Sequence, residues 1–128
     1  MGVISYKELL NGHTIVDLTI AQQQNLQDLQ KRVQVIRDAW GKPMIVTSGF
    51  RTVQDQARIN PKVKSSAHME GKAVDFKDDG SLYNFLKEDY EKKGNDSLLV
   101  VNGLYMEKGT DGWVHLQSRP TLNRIFIP

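Results

Sequence analysis

The sequence predicts an α+β fold in which a small antiparallel sheet is flanked by helices. The first observation is a long segment, residues 20–40, whose apolar residues recur every three or four positions, as on one face of a helix. The second is a series of short runs rich in β-branched residues, which alternate with helical segments and are bounded by turn formers. With 128 residues, of which 39% are hydrophobic and 25% charged, the chain fits one domain, residues 1–128.

The long helix is predicted from Ile20 to Trp40. Thr19 and Gln22 form a capping-box pattern, in which each side chain accepts a hydrogen bond from a free backbone N–H at the helix start. Gly41 is a typical helix stop, and Pro43 prevents continuation. The apolar stripe that should face the core consists of Leu26, Leu29, Val33, Ile36 and Trp40.

The other elements follow from composition and turn signals. Strands or strand-like runs are predicted at Met44–Thr47, Lys72–Phe76, Leu98–Val101, Leu104–Met106 and Trp113–Gln117, with a short strand or extended lead-in at Ile15–Leu18. Helices are predicted at Val53–Ile59, capped by Thr52, and from Ser81 to the stop at Gly94. Asn102-Gly103 could be a hairpin turn or a kink in one longer strand. Residues 61–67 should form a basic loop, and the tail at 125–127 should pack back onto the body.

Composition and charge exclude several classes of protein. Cysteine is absent, so a metal site would have to use histidine, aspartate or glutamate. No apolar run approaches the roughly 18 residues of a membrane helix, so we expect no membrane insertion. The N-terminus lacks the charged and apolar regions of a secretory signal, so we expect a cytoplasmic location. The net charge is +2 and no stripe of aromatic and basic residues appears, so we expect no nucleic-acid partner.

A histidine and an aspartate at the centre of the chain carry the main chemical signal. His68 and Asp75 are separated by a turn glycine that leads into a predicted strand, and His115 lies in another predicted strand. If the two strands face one cleft, these three side chains could hold one zinc ion and leave a fourth position open, as in catalytic zinc sites. Spacing alone fits equally well a loop histidine, a strand-end carboxylate and a half-buried sheet histidine. His13, beside a turn, is predicted to be a surface loop residue.

A wider pattern distinguishes these interpretations. It reads Ser66-x-His68-x-x-Gly71-x-Ala73-x-Asp75, preceded by Ser48-Gly49-Phe50-Arg51 and followed by Trp113-Val114-His115. This pattern resembles the zinc D-alanyl-D-alanine carboxypeptidase family, which includes D-Ala-D-Ala dipeptidases and phage L-alanyl-D-glutamate endolysins. The resemblance spans about residues 47–117 and implies a fold like that of the DD-peptidases and the hedgehog signalling domain. It further implies that His68, Asp75 and His115 hold zinc.

The resemblance also implies roles for residues around the ion. Arg51 would contact the substrate, since a guanidinium matches a carboxylate bidentately; the alternative is a surface arginine that caps the short helix. Ser66 would also contact the substrate, or else bond to its own backbone in a loop. The family carries an acidic general base three residues before the last zinc histidine, where this chain has Gly112. Asp111 is the predicted base, with Glu107 as the reserve.

The function predicted from these features is zinc-dependent hydrolysis of peptidoglycan stem peptides that contain D-amino acids, by carboxypeptidase or endopeptidase cleavage. Because no export signal or wall-anchoring module is recognised, we expect a phage or prophage lysis enzyme, held in the host cytoplasm until it reaches the cell wall, and we expect it to be a monomer. The alternative is a non-catalytic, zinc-stabilised cell-wall-binding or structural module on the same fold. The glycine at position 112 supports that alternative.

Overall fold

The computed structural model describes residues 2–62 and 66–128, which form five α-helices and a five-stranded sheet. The helices are α1 (Tyr6–Leu10), α2 (Ile20–Trp40), α3 (Val53–Ile59), α4 (Ser81–Lys93) and α5 (Leu98–Val101). The strands are β1 (Val46–Ser48), β2 (Ala73–Lys77), β3 (Tyr105–Glu107), β4 (Trp113–Gln117) and β5 (Ile125–Phe126). The predicted basic loop at 61–67 falls partly outside the described residues, which exclude 63–65.

The sheet has the strand order β1-β2-β4-β3-β5. Neighbouring strands are antiparallel except β3 and β5, which run parallel, so the sheet is mixed at one edge. The two central strands pair over their full length, with Asp75 directly opposite His115. The mixture of helices and a small sheet confirms the predicted fold class.

Helix α2 and one face of the sheet form the core behind this strand pair. The capping box at Thr19 and Gln22 is present, and Gly41 ends the helix with a φ of 74°. Because side chains alternate across a strand, the residues next to Asp75 and His115 point to the opposite face, into the core. The buried core residues on the two central strands and on α2 are Val74, Phe76, Val114, Leu116, Leu26, Leu29, Val33 and Ile36. Trp40 is only half-buried and packs against Phe85.

The prediction of a strand at Leu98–Val101 is wrong, because these residues form helix α5. The Ser97 hydroxyl accepts a hydrogen bond from the N–H of Val100 and caps the helix. A short apolar run has too few residues for its periodicity to distinguish a helix from a strand. Asn102-Gly103 is consequently neither a hairpin turn nor a kink in a strand, but the link from α5 to β3. The lead-in at Ile15–Asp17 is a turn of 3-10 helix and not a strand.

Strand β1 also differs from its prediction. The predicted buried strand was Met44–Thr47, whereas β1 begins at Val46 and lies at an edge of the sheet. It pairs only with β2, and a bulge lies between Val46 and Ser48. The Ile45 side chain is therefore 58% exposed, although the sequence suggested burial.

The two ends of the chain pack against this body. Helix α1 was not predicted, although Ser5 and Glu8 form a capping box that could have indicated it. In the tail, Phe126 is buried, as predicted, whereas Ile127 is largely exposed. Among the helices of residues 2–62 and 66–128, none is both long and apolar enough to span a bilayer.

Candidate metal centre and substrate cleft

The structure brings the three predicted metal ligands together. Asp75 and His115 are directly paired on β2 and β4, so their side chains share the sheet face away from the core. His68 lies in the turn that precedes β2, and its ring centroid is 5.1 Å from that of His115. One ligand atom from each of the three residues lies within 4.8 Å of the other two, and all three residues are buried.

The donor atoms of this group fit a divalent metal ion. His68 Nε2 and His115 Nδ1 lie 3.4 Å and 2.8 Å from Asp75 Oδ1. The remaining ring nitrogens meet acceptors, since His68 Nδ1 is 2.8 Å from the Gly49 carbonyl oxygen and His115 Nε2 is 2.7 Å from Gln117 Oε1. The nitrogens that face away from Asp75, His68 Nδ1 and His115 Nε2, therefore carry hydrogens, so His68 Nε2 and His115 Nδ1 are the atoms that would bind an ion once His115 loses the proton it shares with Asp75. Tetrahedral ligands about 2.0–2.2 Å from zinc stand about 3.4 Å apart, which equals the distance from His68 Nε2 to Asp75 Oδ1, whereas His115 Nδ1 is closer to that oxygen, at hydrogen-bond distance.

Burial and hydrogen bonding shift the pKa values of these groups in different directions. Burial raises the pKa of Asp75, but hydrogen bonds with His115 and His68 outweigh it and hold the pKa of this carboxyl well below its usual range. Burial lowers the pKa of His68, which favours the neutral imidazole. Burial also lowers the pKa of His115, but the hydrogen bond and charge of Asp75, together with the contributions of Gln117 and Glu107, outweigh burial and leave the pKa raised. A metal ion would replace the proton on His115, since imidazole binds metals in its neutral form.

The carbonyl that orients His68 is held by a close backbone contact. Gly49 follows β1, and the next residue, Phe50, donates its N–H to the Leu9 carbonyl oxygen at 2.8 Å. A Cβ atom at position 49 would lie 2.3 Å from that oxygen. Glycine is therefore required here by the approach of α1, and this contact places the Gly49 carbonyl against the imidazole of His68.

We expect Gly49→Ala to weaken both the fold and the metal centre. The backbone must move to relieve the clash with Leu9, which should lower the free energy of unfolding by about 1–3 kcal/mol and displace the acceptor of His68. Urea denaturation of the metal-free protein and zinc affinity measure the two effects. Gly41→Ala is the control, because Gly41 has a positive φ but open space around it. It should cost about 1 kcal/mol through backbone strain and leave zinc affinity unchanged. Unchanged zinc affinity in Gly49→Ala would contradict the link to His68.

His68, His115 and Asp75 lie in an open cleft with a volume of about 980 Å³. Arg51 lines this cleft and is not a surface arginine, since its side chain is only 14% exposed. Its guanidinium donates to Ser48 Oγ at 3.1 and 3.2 Å and to Gln56 Oε1 at 3.3 Å. These bonds hold Nη2 3.6 Å from Asp75 Oδ2, so Arg51 presents a fixed positive charge beside the ligand group.

The rest of the cleft wall combines polar and cationic side chains with large hydrophobic ones. Ser66 lines the cleft, and its hydroxyl accepts the N–H of His68 at 3.2 Å, so it serves the local turn as well. The cations of the wall, besides Arg51, are Lys108 and Arg119. The large hydrophobic residues that line the cleft are Ile59, Trp113, Leu122, Ile125, Phe126 and Ile127. The cleft could therefore accommodate a ligand with both carboxylate and apolar groups.

The two acidic candidates for proton transfer occupy different cavities. Asp111 lines a smaller hollow next to the start of α4, together with Asp78 and Asp79, and is absent from the lining of the cleft. The Gly112 carbonyl accepts the N–H of Asp78, which continues the β2–β4 pairing beyond the end of both strands. This pairing carries the turn away from Asp75, so the expected proximity of Asp111 to the ligand group is not observed.

Glu107 is the acidic residue of β3 that lines the cleft. Tyr105 pairs with Gln117, and side chains two residues apart on a strand share a face. Glu107 is therefore on the same sheet face as His115 and Gln117. Its negative charge contributes to the raised pKa of His115. The role predicted for Asp111 stays a prediction, but Glu107 has the better position for it.

Sequence reasoning missed the residues that hold the site together. Gln117 is bonded to His115, and Ser48 and Gln56 are bonded to Arg51. The strand periodicity around His115 was a signal for Gln117, because it places the two residues on one face. His13 takes no part in the cleft, since its ring contacts Asp55 at 2.6 Å and packs edge-on against Phe50.

The fold and the site together define a class of protein. A buried pair of histidines and a carboxylate in an open cleft is the arrangement of a mononuclear metal centre with a free coordination position. A family model described as Peptidase M15 matches residues 3–117. The chain therefore belongs to the Peptidase M15 family of metallopeptidases, which confirms the family expected from the sequence pattern. A search of curated proteins gives no significant match.

Proposed function

We propose that this chain is a zinc-dependent peptidase that hydrolyses peptidoglycan stem peptides containing D-amino acids. The observation that carries the proposal is the convergence of His68, Asp75 and His115 in one open cleft beside Arg51. Two imidazoles and one carboxylate suit zinc, and three protein ligands leave a position for substrate or water. A zinc ion held there would lower the pKa of a bound water and polarise a carbonyl group.

The residues of the chain supply the remaining steps. The carboxylate of Glu107 accepts a proton from the attacking water and returns it to the nitrogen of the leaving amine. Arg51 binds a substrate carboxylate or the oxygen that becomes negative in the transition state. Stem peptides end in a carboxylate, which matches the guanidinium held by Ser48 and Gln56. The apolar wall of the cleft supports the binding of small aliphatic side chains such as that of alanine.

Replacing Arg51 should impair substrate binding more than metal binding. A charge-assisted hydrogen bond contributes about 1.5–3 kcal/mol, so Arg51→Met should lower kcat/KM about 10- to 100-fold and keep one zinc ion per chain. Arg51→Lys should recover only part of this loss, because an ammonium is a point charge without a planar fork. Steady-state kinetics and metal analysis measure the two effects. Unchanged kcat/KM in Arg51→Met would contradict the substrate role.

Digestion of isolated cell wall tests the function itself. Purified protein loaded with zinc should release D-alanine or split the stem peptides, and a chelator should abolish the release. Mass analysis of the fragments identifies the bond and separates carboxypeptidase from endopeptidase cleavage. A zinc-loaded protein that binds cell wall without releasing fragments would favour the non-catalytic module. The presence of Glu107 in the cleft favours the enzyme over that module.

We also propose that the enzyme acts as a monomer in the lysis of bacterial cells by a phage or prophage. The mechanism proposed above uses residues of one chain and requires none from a second copy. The test of the lysis role is the turbidity of bacterial cells whose outer membranes have been permeabilised. Added enzyme should clear the suspension, whereas a variant without the zinc ligands should not.

A further inference from the structure

Gln117 is a buried polar residue that the proposed reaction does not yet use. It is the last residue of β4, two positions after His115, and only 3% of its surface is exposed. Its Oε1 atom lies 2.7 Å from His115 Nε2, and its Nε2 atom donates to the Arg119 carbonyl oxygen at 2.8 Å. Both ends of the amide are therefore hydrogen-bonded.

The bond to Arg119 determines which way the amide of Gln117 faces. A main-chain carbonyl can only accept a hydrogen bond, so the amide NH₂ must face it and Oε1 must face His115. Oε1 also only accepts, so His115 Nε2 must donate and carry the hydrogen. In a neutral imidazole, the lone pair is then on Nδ1, the nitrogen that lies 2.8 Å from Asp75 Oδ1.

The segment after β4 is itself anchored. The Arg119 side chain pairs with Glu70 at 2.7 Å, and Glu70 lies in the turn that follows His68. The backbone N–H of the intervening Ser118 donates to the Lys72 carbonyl oxygen at 2.8 Å. The carbonyl that orients the Gln117 amide is thus held against the same turn that positions the other histidine.

We propose that Gln117 is a positioning residue that keeps the hydrogen of His115 on Nε2 and presents Nδ1 to the metal ion. This inference rests on the proposed zinc site. The equivalent partner of His68 is the main-chain carbonyl of Gly49, which a substitution can displace only by moving the backbone. Gln117 is therefore the side chain through which the orientation of a ligand histidine can be tested directly.

The test is the zinc affinity of Gln117 variants, measured by competition with a chromophoric chelator. Gln117→Met has a similar size but no acceptor, and it should raise the Kd for zinc about 10- to 100-fold. Gln117→Glu keeps an acceptor for Nε2–H but loses the donor to Arg119, so it should recover part of this loss and give a Kd below that of Gln117→Met. Gln34→Met is the matched control, because Gln34 bonds to Ile4 and Gly2, away from the cleft. It should leave the Kd unchanged.

A spectroscopic readout separates positioning from general loss of stability. In the zinc-loaded protein, long-range ¹H–¹⁵N spectra should show His115 with its hydrogen on Nε2. In Gln117→Met the His115 signals should broaden or indicate a second ring orientation, while those of His68 stay unchanged. An unaltered His115 spectrum and an unaltered Kd in this variant would overturn the inference and leave the proposed function standing. Failure of the unsubstituted chain to bind zinc would overturn both.

Discussion

Replacing His68 with alanine is expected to remove the bound metal and with it all hydrolysis. The histidine is 3% exposed, and among residues 2–62 and 66–128 its Nε2 atom is one of the three donors that converge in the cleft. With one imidazole and one carboxylate left, the site lacks the three protein ligands of a catalytic zinc centre. Metal analysis after dialysis should fall from about one zinc per chain to near zero. His115→Ala should have the same effect.

The third histidine provides the matched control for this experiment. His13 is bonded to Asp55 outside the cleft, so His13→Ala should retain zinc and activity, although it removes a partner of Asp55. Burial raises the pKa of Asp55, but hydrogen bonds from Thr52 and His13 outweigh it and lower the pKa to about 2. Far-ultraviolet circular dichroism of all three variants checks that the fold is retained. Full zinc content in a folded His68→Ala variant would contradict the assignment of the ligands.

Replacing Glu107 with glutamine should abolish turnover and preserve the metal. The substitution keeps the size of the side chain and its place on β3, but it removes the carboxylate that would accept the proton. General acid–base catalysis contributes about 10²- to 10⁴-fold, so kcat should fall by that factor while zinc content stays at about one per chain. Single-turnover hydrolysis of a stem peptide is the appropriate measurement, because it reports the chemical step.

Asp111→Asn is the matched control for Glu107→Gln, since it removes the acid that the sequence analysis favoured as the general base. Asp111 lines the hollow beside α4 and not the cleft, so this variant should stay within about twofold of the unsubstituted chain. The opposite pattern, with Glu107→Gln active and Asp111→Asn inactive, would return the role to Asp111. If both variants stay active, neither acid is needed to activate the water, and the proposed mechanism is wrong.

Local signals explain which elements could be predicted. Helices α2 and α3 begin and end at the residues expected, because Thr19 and Thr52 cap them and Gly41 stops the longer one. Such caps act within one turn of helix, so they can be recognised in the sequence. The run at Leu98–Val101 is too short to show a helical periodicity, so its one local signal was the capping residue Ser97. It forms a helix because Ser97 caps it and because it packs against the end of α4.

In the candidate site, too, some residues could be recognised in the sequence and others could not. Its ligands could be recognised because the chemistry requires particular residue types, and His68, Asp75 and His115 stand in a specific pattern. The partners of the two histidines and of Arg51 are glutamines, a serine and a main-chain carbonyl, which are common everywhere in proteins. Only their distances distinguish Gln117 or Ser48 from any other polar residue.

The sequence by itself determined the family, the fold class, the long helices and the three residues that converge on one point. These depend on residue type and on spacing along a single element. The tertiary structure decided which acid lines the same cleft, because strand pairing places Glu107 on the face of His115, whereas the turn after β3 carries Asp111 into another hollow. It also decided how His68 is oriented, since its acceptor, the Gly49 carbonyl, comes from another segment, whereas the acceptor of His115 lies two positions along the same strand. Contacts between residues far apart in the chain depend on strand register and loop path, and the spacing of residues within one segment does not specify either.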